Sequence, residues 1–160
     1  MTNTGMMHRK LIGITLMLLA GCSVSPPQPD DQQGFELEPA AVDQPQIRPS
    51  PQTSKAALAL LAKARDAANN GQLSVAEAQL ERALRIEPQN AVLWHYMAKL
   101  RLHQGQLSQA AGLAAKSNSL DQDNRELQAD NWRIIAHARY QKGDKAGAQA
   151  AQLRAEQLLE

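Results

Sequence analysis

The sequence predicts an all-α fold, a stack of about three helix-turn-helix repeats carried behind a disordered tether. Three observations predict it. Seven of the eight prolines fall within residues 23–53, which leaves only Pro88 in the following 107 residues. Alanine fills 24 of those 107 positions. Gly71, Gly105 and Gly143 recur at spacings of 34 and 38, with other residues held in register around them.

The amino end is the first element. His8, Arg9 and Lys10 precede an uninterrupted apolar or small run, Leu11 to Gly21. Eleven residues are too few for a hydrocarbon core, which needs about 20 at roughly 1.5 Å each. The length suits a cleavable signal, so residues 1–21 are assigned as a signal peptide. The run ends Leu19-Ala20-Gly21-Cys22, and Cys22 is the only cysteine of the chain. This resembles the lipobox of bacterial lipoproteins. The resemblance implies that Cys22 is the lipidation site and first mature residue, attached to the membrane through its lipid (palmitate or a similar chain). Each buried methylene contributes roughly 0.8 kcal/mol, so three acyl chains would make attachment effectively permanent. Ser23, rather than Asp, follows the Cys; by the family's sorting rules this implies the periplasmic face of the outer membrane.

Residues 22–53 form the second element. The stretch after Cys22 has six Gln, five acids and one base, Arg48. It has too little apolar area to offset chain entropy and is expected to remain a disordered Pro/Gln-rich tether. Its 31 residues reach at most about 100 Å, and about 30 Å root-mean-square if flexible. Phe35, with Leu37 and Val42, is the one place in it where a short partner-binding motif could sit, although an incidental linker residue explains it more simply.

Residues 54–160 carry the repeats, at about 57–90, 91–124 and 129–160. Seven residues before each glycine lies Ala64, Ala98 or Ala136; five after lies Ala76, Ala110 or Ala148. Eleven before lies Leu60, Trp94 or Trp132, and twelve after lies Ala83, Ser117 or Ala155. Single Ala matches are weak in an Ala-rich chain, but both tryptophans in one column and glycine in another are hard to obtain by chance. Small side chains permit close helix approach, the tryptophans fill larger gaps, and each glycine permits a turn that other residues resist. Helices are predicted over 55–69, 73–86, 91–103, 107–119, 126–141 and 145–158. Asn90 and Asn124 are the expected caps of the third and fifth helices, and Ser74 with Glu77 forms a capping box at the second. The four extra residues before the third unit add about one turn of 3.6, so the lengthened helix keeps its face in phase.

This pattern resembles the tetratricopeptide repeat, whose period is about 34 residues. The resemblance covers about two thirds of the chain and implies a stack whose first helices line a concave groove. Terminal repeats tolerate polar residues on their outer side, which accommodates Gln152 where Leu80 and Ala114 stand in the earlier units. Three units lie near the lower limit for a stable stack, so weak self-association is plausible.

Chemistry of the catalytic kind is missing from the pattern. There is no HExxH, no Gly-rich phosphate loop and no triad ordering, so no catalytic residue, cofactor or metal is expected and the chain is read as non-enzymatic. His95 and His103 are eight residues apart, about 12 Å along one helix, too far to share a metal directly. A site formed by His137 with either one is conceivable but is weighed far below solvated histidines. The segment 54–160 has 14 bases against 11 acids, an excess too small for nucleic-acid binding.

Function is therefore expected in the groove. The mapping places Leu61, Arg65, Asn69, His95, Lys99, Leu102, His103, Arg133, His137 and Tyr140 on its surface, with no acid among them. Such a face suits an extended or helical protein segment carrying acidic and apolar residues. The repeats that clamp a chaperone tail use a Lys where Leu61 stands, so that role is not carried over. In architecture the chain is similar to repeat-bearing outer-membrane lipoproteins of the LpoP type. These activate a bifunctional peptidoglycan synthase, a class A penicillin-binding protein, in the periplasm. The resemblance implies that partner and a role in peptidoglycan synthesis at the cell envelope. The alternatives are a pilot lipoprotein for a type IV pilus or secretion pore, or a scaffold of another envelope complex.

Overall fold

The structure, a computed structural model, describes residues 47–160. The expected signal peptide, the expected lipidation site Cys22 and the expected tether up to residue 46 lie outside the described residues. Six helices follow in order: α1 (Lys55–Asn69), α2 (Leu73–Ile86), α3 (Ala91–His103), α4 (Leu107–Leu120), α5 (Arg125–Gln141) and α6 (Lys145–Gln157). All six match the sequence-derived helices to within one residue at each end. No strand occurs among the described residues.

The helices pair as α1 with α2, α3 with α4 and α5 with α6, and neighbouring pairs stack through α2 on α3 and α4 on α5. The pairing follows from one repeated turn. Gly71, Gly105 and Gly143 have φ of +71°, +72° and +84°, in the left-handed region where only glycine sits without strain. The residue after each glycine donates its N–H to a carbonyl near the end of the preceding helix: Gln72 to Ala67 at 2.8 Å, Gln106 to Arg101 at 2.9 Å and Asp144 to Arg139 at 3.0 Å. This is a Schellman closure, and it satisfies carbonyls the helix would otherwise leave open.

Helix starts divide into two kinds. Ser54, Asn90, Asn124 and Asp144 cap α1, α3, α5 and α6 with side-chain oxygens. The second helices of the first two units begin at Gln72 and Gln106 with no side-chain cap. The expected Ser74–Glu77 capping box does not form. The glycine turn feeds directly into α2, so Ser74 is already helical. Glu77 instead accepts from Arg101 at 2.6 Å and Gln104 at 2.9 Å in the next unit.

The alanine columns are the contact surfaces between helices. Ala64, Ala76, Ala98, Ala110, Ala136 and Ala148 are all buried. The first core cluster contains Leu61, Leu80, Leu84, Val92, Leu93, Met97, Leu100 and Leu127, with Leu60 and Trp94 packed at its edge. The second contains Ala98, Ala110, Ala114, Ile134, Ile135, Ala136 and Ala151, with Trp132 at its edge. It is poorer in large side chains, so apolar burial contributes less to it, at about 25 cal/mol per Å². Trp94 Nε1 donates to the Pro88 carbonyl at 2.8 Å, and the Lys116 ammonium stands 3.4 Å from its ring centroid.

The predicted tether boundary at residue 53 needs correction. Ile47 is 7% exposed and belongs to the first core cluster, and Thr53 is 8% exposed. Residues 47–53 therefore lie on the repeats. Composition concealed this, because one aliphatic side chain among prolines is enough to anchor a short segment once an apolar recess exists.

Candidate functional site

The groove-facing positions come from α1, α3 and α5, held side by side by the repeat. Along α1, Arg65 is half-buried with its guanidinium 5.7 Å from the Tyr96 ring centroid, and Asn69 is exposed at the helix end. Leu61 does not line an open surface. It is buried and belongs to the first core cluster together with Ile47, Val92 and Leu93.

His95 also departs from the sequence expectation. It was expected as a groove contact, yet it is 1% exposed and unavailable to a partner. Its Nδ1 lies 2.9 Å from Asn131 Oδ1 and its Nε2 lies 3.2 Å from Asp130 Oδ2. Asn131 Nδ2 donates to Ser117 Oγ and Asn118 Oδ1, each at 2.8 Å. That commits Asn131 Oδ1 to accepting, so the His95 Nδ1 carries a proton. Both ring nitrogens face acceptors. Ser117 Oγ continues the chain by donating to the Ala91 carbonyl at 2.8 Å.

Asp130 is the acid missing from the sequence-derived face. Burial alone pushes its carboxyl up. The hydrogen bond and charge of His95, followed by the charges of Lys99 and Arg133, outweigh burial and hold it below its ordinary value of 3.8. Lys99 Nζ is 3.9 Å from the same carboxylate oxygen, with its side chain 35% exposed. The groove centre is thus a compensated cluster whose outer members, Lys99 and Arg133, still reach solvent.

Toward the far end stand His103, His137 and Tyr140. His103 and Tyr140 are exposed, and His137 is half-buried against Gln141. Burial, and then the charge of His103, hold the His137 ring below the usual imidazole range. No group of three or more His, Cys, Asp or Glu suited to a metal occurs among the described residues.

Of the groove positions read from the sequence, Arg65, Lys99, Arg133, His103, His137, Tyr140 and Asn69 retain solvent access, while His95 is structural. Sequence reasoning missed Asp130, Asn131 and Tyr96. A signal was present: Asp130-Asn131 is a pair of weak helix formers placed directly before the Trp132 column, where a solvated turn would be out of phase. The outer side carries a separate cleft of 740 Å³, lined by Leu84, Pro88, Trp94, Met97, Gly112 and Leu113 among others.

Residues 67–129 match the family model for the tetratricopeptide repeat. The globular C-terminal domain of P. aeruginosa LpoP is similar at 38% identity and a TM-score of 0.63, covering 66% of this chain and 99% of that one. The N-terminal domain of stress-induced protein-1 (STI-1) from C. elegans aligns with a TM-score of 0.61 at 15% identity, covering 68% of this chain and 88% of that one, and bears on the fold alone. No curated protein sequence matches. The chain belongs to the tetratricopeptide-repeat family. Its repeat domain is LpoP-like, and such domains are typically protein-interaction modules without catalysis.

Proposed function

We propose that this chain is a non-enzymatic lipoprotein, anchored through Cys22 at the periplasmic face of the outer membrane, that activates a class A penicillin-binding protein. The observation that supports this most is the similarity of the whole repeat stack to the LpoP domain at 38% identity. Among the described residues no helix is long and apolar enough to cross a membrane. The groove cations Arg65, Lys99 and Arg133 would contact an acidic patch on the synthase. Tighter binding to the active form of the enzyme would shift its population toward that form.

The test is to mix the mature chain with a purified class A synthase. Glycan polymerisation or cross-linking should rise; an unchanged rate overturns the proposal. The pilot alternative predicts instead that deletion of the chain abolishes secretin multimers.

A further inference from the structure

The segment before α1 packs on the repeats. Ile47 is buried in the cluster that contains Leu61, Val92 and Leu127, contributed by α1, α3 and α5 or their first turns. Its carbonyl accepts from Tyr96 Oη at 3.3 Å. Further along, Thr53 Oγ1 accepts from Asn90 Nδ2 at 3.0 Å, and the Ser54 N–H donates to Glu87 Oε1 at 2.7 Å. Between these ties the chain passes through Pro49 and Pro51 without entering a helix or strand. One side chain in a recess and backbone groups bonded to side chains of the receptor is how an extended proline-bearing peptide is recognised.

The resident segment, Ile47 to Thr53, carries no acid, and the residue after the anchoring Ile47 is the exposed Arg48. The groove's solvent-reaching side chains include the cations Arg65, Lys99 and Arg133, which a segment bearing an acid after its aliphatic anchor would complement. We propose that residues 47–53 are a self-ligand of the groove, displaced by an extended segment of the protein partner in which a branched aliphatic residue is followed by an acid. This rests on the docking reading above and names what is docked. The strap keeps the apolar recess covered until a better-matched segment arrives.

The experiment uses the full chain and two variants, Ile47→Asp and a replacement of residues 47–53 by Gly and Ser of equal length. The probes are fluorescent synthetic peptides with the sequence of residues 43–53, unaltered or with Arg48→Asp or Ile47→Asp. Both variants should bind the unaltered peptide at least about tenfold more tightly than the natural chain does. The Arg48→Asp peptide should bind more tightly still, and the Ile47→Asp peptide should not bind. Equal binding to natural and variant chains overturns the proposal, as does no binding to variants that melt cooperatively. Loss of folding in both variants also overturns it, because the segment is then core rather than ligand. Peptide binding without any effect on a synthase would remove the functional reading and leave the self-ligand in place.

Discussion

His95 and Asp130 meet 3.2 Å apart across neighbouring first helices, both shielded from solvent. Their partners Asn131, Ser117 and Asn118 make this a polar seam between the second and third repeats. A half-satisfied buried network costs more than an apolar one, so each member is sensitive to replacement.

Asp130→Ala leaves His95 facing an unpaired void. The expected loss is about 1–3 kcal/mol, the range for leaving a buried polar group without its partner. Urea denaturation should show it as a lower midpoint with an unchanged slope.

The same pair sets a pH dependence. The folded Asp130 carboxyl titrates below its ordinary 3.8, so the unfolded chain binds this proton more readily. Its stabilisation is complete above the unfolded value and is lost as pH falls through the folded one. Asp130→Asn should flatten that acid limb in thermal melts below about pH 4.

Ser117→Ala tests the seam against the repeat pattern. Ala83 and Ala155 occupy the same column, so family logic treats Ala as neutral there. The structure says otherwise, because the hydroxyl joins Asn131 to the Ala91 carbonyl. The loss should be about 1–3 kcal/mol, and Ala83→Ser should not restore it.

Gly105→Ala should cost about 1–2 kcal/mol through its left-handed backbone alone. No atom lies within 4 Å of the added Cβ, so no clash contributes. Gly112→Ala, where φ is ordinary and space is open, should be neutral or slightly stabilising in the same melts.

Tether length can be separated from docking. Halving residues 23–46 should abolish activity in cells and leave activation of a purified synthase intact. Retained activity in cells would show that reach is not what the segment provides.

Most of the fold was legible because the repeat imposes one solution three times: glycine turns, alanine contacts and asparagine caps each had a local cause. The site was legible only in part. A periodic mapping places Arg65, Lys99 and His95 on one face, but it cannot say that His95 is sealed by Asp130 and Asn131 from the next unit. Ile47 illustrates the other limit: its neighbours in sequence are prolines and polar residues, and what holds it lies far along the chain. Glu77 shows the same competition, since a local cap lost to an arginine in the following repeat.

Leu127, in the first turn of α5, belongs to the first core cluster, so the third hairpin supplies part of the filling of the other two. A chain cut short before α5 would open a hole in what remains, and the stack could not be trimmed one unit at a time.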